Sequence, residues 1–469
     1  MKSNPLFPAH SEDFKPEIFK SYDIRGKYPE ELDERAAFKI GQSFFLLTKA
    51  KTVLVGGDNR FSSENLKRPL VTGLIDQGVR VIDIGLCSTP EFYWAVCCLK
   101  AEAGIMITAS HLSKEYNGFK AVLGDGIVLT NKQILDWQKL FLGGEIPPAK
   151  KEGKVIKQYT RDLYTAELKK HLLPKLKQFK IVMDSGNAVS GLYLNSVFGN
   201  KSLKVIPLFW EPDGNFPSHG LNPKIKENRE NLAMAIREEG ADMGFMWDGD
   251  GDRFYVLDDK GEVIDPSFVS AIIGRYLVSR SGQKKVVISI TTSRVVKDEI
   301  KEAKGEVIVT KVWHAEIKKA MRETKGAIFG SETSGHYIFK DFYYIDDGIL
   351  AAIYFLNALS ADERSLEWIL KGLREKYFII EEINFSLPNQ EISGEILVEI
   401  KNHYQEMGGE VSKLDGLSVE FPDWHFNLRP SKSEPLLRLN LEANSERLME
   451  EKLKEIVELI KKVASEWNV

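Results

Sequence analysis

Cysteine is scarce in this chain: there are three, Cys87, Cys97 and Cys98, two of them adjacent. So few exclude a disulfide framework, and their spacing suits no metal-binding pair. An excess of charge of one sign is missing as well. Lys and Arg number 64 against 68 Asp and Glu, net −4, which argues against a nucleic-acid binder, whose footprint is a basic excess or stripe. No apolar run nears the ~20 residues of a membrane-spanning helix; the most apolar stretch, Ile349 to Leu356, is far shorter. Met1 to Phe14 is polar, with Pro5 and Pro8 and no apolar signal core. These absences predict a soluble, cytoplasmic protein without a membrane or nucleic-acid partner. The 469 residues are enough for three or four domains.

What is present is an alternation of strands and helices. Thr52 to Val55 reads as a strand, Glu64 to Gln77 as a helix, Val79 to Ile84 as a strand and Pro90 to Lys100 as a helix. The strand Gly104 to Thr108 then opens into a polar loop. The same order recurs in Phe179 to Met183, Leu203 to Phe209, Asn228 to Glu239 and Met243 to Trp247. It returns in Val286 to Ile290, Ser293 to Ala303, Glu306 to Val312, His314 to Thr324 and Ala327 to Phe329. Alternation of this kind predicts α/β layers with mixed, mostly parallel sheets. The tail differs: a strand Ile379 to Phe385, a helix Gly394 to Met407, strands near Ser418 to Phe421 and Leu436 to Leu441, and a closing amphipathic helix predict an α+β domain. The division expected is 1–154, 155–257, 258–370 and 371–469, each unit with one polar loop.

In parallel α/β sheets ligands bind beyond the carboxyl ends of strands, and four loops there carry chemistry. Asp248-Gly-Asp250-Gly-Asp252-Arg253 places three carboxylates at alternate positions, where they repel unless a cation sits among them. Hard oxygen ligands favour Mg²⁺ or Ca²⁺. An EF-hand is excluded, because a strand precedes the loop and its sixth and twelfth positions are Arg253 and Asp259.

Thr108 to Lys120 contains Ser110-His111, a candidate activated hydroxyl. On an extended chain the two side chains would point apart, which argues against His111 as a base for Ser110. Lys120 is a candidate cation or proton carrier. Glu332, Ser334 and His336 fall at every second residue, a comb of donors and acceptors for sugar hydroxyls if the segment is extended. Arg429, Ser431, Lys432 and Ser433, with Arg438 shortly after, supply donors suited to a phosphate monoester. Each loop could instead be an ordinary polar turn.

Together the four loops resemble those of the α-D-phosphohexomutase family, over nearly the whole chain. Phe19 to Gly26, containing Tyr22 and Arg25, is similar to the family's opening signature, and Gly57-Asp58-Asn59-Arg60 with Ser62-Ser63 to its first-strand motif. The resemblance implies four domains, one loop from each lining a central cleft. It implies that Ser110 is the phosphorylated serine and that Asp248, Asp250, Asp252 and the phosphate on Ser110 hold a single Mg²⁺. Arg25, His111 and Lys120 would then assist charge and proton transfer. Glu332 and Ser334 would grip the sugar, with His336 beside them and Tyr22, Arg253 and His314 lining the cleft. Arg429, Ser431, Lys432, Ser433 and Arg438 would hold the non-reacting phosphate. The partners implied are hexose phosphates, with hexose 1,6-bisphosphate as activator; the oligomeric state is left between monomer and homodimer.

Three departures bear on this expectation. Leu112-Ser113 stands where the family usually has Asn-Pro, which predicts a looser serine loop. Lys432-Ser433 stands where Asn-Thr is usual, and Trp313 where Gly is common, which would narrow the cleft. Thr333, where the glucosamine-phosphate branch commonly has Gln, favours the phosphomannomutase/phosphoglucomutase branch. The alternatives are a phosphoglucosamine mutase, a non-catalytic sugar-phosphate-binding paralogue, and a metal-dependent sugar phosphatase.

Overall fold

The computed structural model describes residues 14–199, 201–387, 389–431 and 435–465. Lys432 and Ser433, and the N-terminal segment apart from Phe14, lie outside the described residues. The chain divides into two compact units, Met1–Ile264 with Ser334–Ser360, and Asp265–Thr333 with Ala361–Val469.

The first unit contains two α/β layers. In the first sheet the strands run Ile24–Lys27, Tyr116–Leu123, Ala103–Ile107, Thr52–Gly57, Arg80–Leu86 and Lys154–Lys157. The last four are parallel and the first two antiparallel to their neighbours. The antiparallel return has a functional consequence. It folds the chain after Ile107 into a loop at the carboxyl edge and sets Lys120 directly opposite Met106. In the second sheet Leu203–Leu208, Phe179–Asp184 and Met243–Trp247 are parallel, and Phe254–Leu257 turns back antiparallel with Phe254 opposite Trp247. Asp248 to Arg253 is therefore the loop of a hairpin.

The apolar run Ile349 to Leu356 lies in the helix Gly348–Ala361, whose residues from Gly348 to Leu359 are all buried. A helix that is apolar all round has no solvent face to offer and belongs in a core. Its Phe355 ring lies against Phe245 and Phe254. Helices Glu34–Thr48 and Phe61–Asp76 cross with their backbones touching. A Cβ at Gly41 would lie 2.3 Å from the Leu70 carbonyl oxygen, and one at Gly73 2.1 Å from that of Phe38.

The second unit has a parallel layer of Glu306–Thr310, Lys285–Ser289 and Ala327–Ser331, accompanied by helices Pro266–Arg280, Arg294–Glu302 and His314–Glu323. Its β-rich tail is an antiparallel sheet ordered Phe378–Ile379, Leu436–Ala443, Trp424–Pro430, Leu417–Glu420 and Glu410–Ser412. Ile396 and Ile400 of helix Ile392–Glu406, and Ile456 and Ile460 of helix Glu446–Ser465, share one apolar core with Val419, Phe426 and Leu439 of the sheet. The single strand expected from Ile379 to Phe385 is in fact two, Phe378–Ile379 and Ile383–Ser386, both paired with Leu436–Ala443. The break falls at Glu381-Glu382, where the Glu382 carboxylate is taken by Arg429 at 3.1 Å and Asn440 at 3.3 Å.

Arg294 ties the two layers of this unit together. Its guanidinium donates to the carbonyls of Phe421, Pro422 and Trp424, and Lys297 pairs with Glu420 at 3.1 Å.

The glycine crossing gives a direct test. Gly73→Ala, which drives a methyl group into the Phe38 carbonyl of the facing helix Glu34–Thr48, is expected to destabilise the protein by ~2 kcal/mol. An unchanged urea midpoint would contradict the backbone contact.

Candidate active site

Ser110 follows the strand Ala103–Ile107 in a left-handed backbone conformation, φ +52. Such conformations are uncommon for residues with a Cβ and persist where surrounding structure enforces them. Here the enforcing group is Arg60, 3% exposed. It donates to the carbonyls of Ser110 (2.9 Å), Leu112 (2.6 Å), Ser113 (2.6 Å) and Tyr116 (3.1 Å), and is itself held by Asp58 at 3.1 Å. Arg25 adds a bond to the Ala109 carbonyl. The loop is thus pinned through main-chain carbonyls, so Leu112-Ser113 in place of Asn-Pro does not leave it loose.

The left-handed turn also changes the geometry expected of Ser110 and His111. They do not point apart: the Ser110 hydroxyl lies 3.3 Å from His111 Nδ1. His111 is held well below its ordinary pKa by burial, and then by Arg253 and Arg25, so its ring is neutral. The Ser110 hydroxyl also donates to Asp248 at 2.8 Å.

Asp248, Asp250 and Asp252 are fully buried, and one oxygen of each lies within 4.8 Å of the others. Gly249 makes the approach possible, since a Cβ there would stand 2.3 Å from the Ser110 carbonyl oxygen. Gly251 turns the loop at φ +78. The Lys120 ammonium bridges Asp250 (2.7 Å) and Asp252 (2.6 Å). Burial opposes its charge, but the two carboxylates raise it well above its ordinary value. Asp252 is held below the usual carboxylate range, burial being outweighed by Lys120 and His336. Asp248 is pushed up to about 8, by burial and then by Asp252 and Asp250. Of the three converging carboxylates, Asp250 and Asp252 meet the Lys120 ammonium at hydrogen-bond distance, and Asp248 lies 3.7 Å from the Arg253 guanidinium. The buried Oδ1 atoms of Asp250 and Asp252 have no hydrogen-bond partner among the described residues. This oxygen set fits a hard divalent cation.

Behind the triad, Thr89 holds Asp250 twice: its hydroxyl donates to the carboxylate at 2.6 Å and its N–H to the Asp250 carbonyl at 2.9 Å. Arg253 donates its backbone N–H to Asp248 (3.2 Å) and its guanidinium Nε–H to His336 Nε2 (3.2 Å), and His336 Nδ1 lies 2.9 Å from Asp346.

The comb expected of Glu332, Ser334 and His336 is not formed. The strand ends at Ser331, residues 333 and 334 turn, and Gly335 has φ +88. Glu332 belongs to the second unit, Ser334 and His336 to the first. Glu332, 6% exposed, accepts the Trp313 N–H at 3.1 Å, next to His314 at the start of helix His314–Glu323. Tyr22 is half-buried in the bend before Ile24–Lys27.

In the tail sheet Arg429 and Arg438 are direct cross-strand partners. Their buried Nε atoms have no hydrogen-bond partner among the described residues. Ser431, buried, donates its N–H to the Leu436 carbonyl at 2.8 Å.

Sequence reasoning missed three residues that build this site. Thr89 carries no local signal, since its partner Asp250 lies far along the chain, and Asp346 meets His336 only across the hairpin of Tyr337–Phe339 and Ile345–Asp346. Arg60 was visible only as part of the Gly57 to Arg60 motif.

Three family models match the chain: Phosphoglucomutase/phosphomannomutase, alpha/beta/alpha domain I at residues 16–139, domain II at 157–261 and domain III at 265–377. A phosphomannomutase of Vibrio cholerae is 36% identical over 95% of this chain and 98% of its own. The crystal structure of a phosphoglucomutase/phosphomannomutase family protein from Burkholderia thailandensis superposes with TM-score 0.86 at 28% identity, covering 96% of this chain and 98% of the other. The fold extends to the Aspergillus fumigatus N-acetylphosphoglucosamine mutase solved with GlcNAc-6P and magnesium, with TM-score 0.62 at 12% identity, covering 97% and 98%.

Arg60→Lys should expose how the serine loop is held. An ammonium cannot reach four carbonyls and Asp58 at once. The expected loss is on the order of 3 kcal/mol of stability, with faster proteolysis between Ser110 and Tyr116. Unaltered proteolysis of that segment would show that Arg60 does not hold it.

Proposed function

As a member of the phosphoglucomutase/phosphomannomutase family of α-D-phosphohexomutases, the chain is an intramolecular phosphotransferase. We propose that it interconverts the 1- and 6-phosphates of mannose and of glucose, with Ser110 as the phosphate carrier and a hexose 1,6-bisphosphate as intermediate and activator. The observation that carries this reading is the placement of the Ser110 hydroxyl. It projects from a pinned left-handed turn to within 2.8 Å of a carboxylate in a buried aspartate triad. The reading keeps four domains, divided near residues 154, 257 and 370.

In this scheme phosphoserine 110 donates its phosphoryl group to a hydroxyl of the bound hexose phosphate. The serine P–O bond breaks as the sugar P–O bond forms; the hydroxyl proton leaves to His111, whose neutral ring faces Ser110, and the departing serine oxygen takes a proton from the Lys120 ammonium. Reorientation of the bisphosphate then lets its other phosphoryl group return to Ser110. Such transfers depend on positioning and charge neutralisation more than on covalent side-chain chemistry. Mg²⁺ held by Asp248, Asp250 and Asp252 supplies part of that neutralisation. Arg25 and Arg253 supply the rest and orient the carrier, and Glu332 and Ser334 hold sugar hydroxyls.

Arg429, Arg438 and Ser431, with Lys432 and Ser433, bind the phosphate that is not reacting. Two guanidinium groups directly opposite on neighbouring strands repel, and their Nε atoms, without a hydrogen-bond partner among the described residues, suit a bridging dianion. For the sugar, Thr333 favours mannose and glucose over glucosamine, and the relative named a phosphomannomutase supports mannose.

An isomerisation assay with Mg²⁺ and catalytic glucose 1,6-bisphosphate tests this, comparing mannose 1-phosphate with glucose 1-phosphate. Turnover should fall by more than about 10³-fold in Ser110→Ala, vanish with chelator and return with Mg²⁺. Phosphate release faster than isomerisation, or turnover that survives Ser110→Ala, would overturn it.

A further inference from the structure

Within the second unit a chain of contacts joins the phosphate-binding strand pair to the residue proposed to grip the sugar. Trp313 has φ 125 and ψ 128, a backbone conformation that L residues rarely adopt. Two carboxylates hold this segment. Glu332 accepts the N–H of Trp313 at 3.1 Å, and Asp415, in the bend between strands Glu410–Ser412 and Leu417–Glu420, accepts the N–H of the preceding Val312 at 2.9 Å.

Asp415 is in turn fixed to the phosphate-binding strand. Its carbonyl accepts from the buried amide of Asn427 at 2.9 Å. The next residue, Gly416 at φ +70, packs so closely on Arg429 that a Cβ would stand 2.6 Å from the Arg429 Cβ and 2.5 Å from the Leu428 carbonyl oxygen. These contacts form a continuous path from the strand at Arg429 through Asp415, Val312 and Trp313 to the Glu332 carboxylate.

We infer that Asp415 is a positioning residue for hexose recognition: it sets Glu332 in register with the strand that carries Arg429. The inference rests on Glu332 being a sugar ligand. It assigns Asp415 no contact with substrate. A carboxylate in this place accepts the Val312 N–H, and an amide oxygen can do the same, whereas a methyl group cannot.

The test is a double-mutant cycle in the full-length enzyme. Asp415→Ala is expected to lower kcat/KM for mannose 1-phosphate about tenfold while leaving the inhibition constant of inorganic phosphate within about twofold, because the strand pair itself is intact. Asp415→Asn should recover most of the loss, and in a Glu332→Ala background Asp415→Ala should add less than about twofold. Equal losses in phosphate inhibition and in kcat/KM, or additive effects with Glu332→Ala, would mean that Asp415 only supports the fold and would overturn the inference. So would a silent Asp415→Ala beside a damaging Glu332→Ala, which refutes the coupling alone. A silent Glu332→Ala refutes the sugar-binding reading and the coupling with it.

Discussion

Three carboxylates buried within 4.8 Å of one another are the constraint around which the first unit is arranged. Isolated in a protein interior they would repel and take up protons, as the upward shift of Asp248 to about 8 records. The surrounding sequence offsets this with specific groups. Lys120 is brought in by the antiparallel return of Tyr116–Leu123, Thr89 by the start of helix Thr89–Cys98, and Arg253 by the hairpin loop itself. Each comes from a different stretch of chain, so the charge balance of the triad depends on the two sheets of this unit being correctly formed.

The serine loop shows the same economy of means in the backbone. Ser110 adopts a costly left-handed conformation because Arg60 collects four carbonyls of its loop. One buried guanidinium satisfies what would otherwise be unpaired acceptors, and Asp58 neutralises it. The result is a hydroxyl whose direction is set by the fold rather than by its neighbours at 112 and 113.

Much of this was legible in the sequence, for identifiable reasons. Strand–helix alternation follows from apolar periodicity, and Met243–Trp247 and His314–Glu323 emerge within a residue of the pattern. The aspartate triplet announces itself because alternate carboxylates have few other uses. What could not be read was conformation that departs from regular geometry. The turn at 333–334 and Gly335 dissolves the comb of Glu332, Ser334 and His336, and the positive φ of Ser110 brings together two side chains that an extended chain would separate. Long-range partners such as Thr89 with Asp250, or Asp415 with Val312, have no signature along the chain.

The central claim is that Ser110 carries the phosphoryl group. The most direct measurement is phosphopeptide mapping of the protein after incubation with labelled glucose 1,6-bisphosphate and Mg²⁺, before and after a chase with mannose 6-phosphate. The account predicts label on the peptide containing Ser110, at Ser110 itself, removed by the chase. Label on Ser113 or His111, or label on Ser110 that the chase leaves in place, would contradict it.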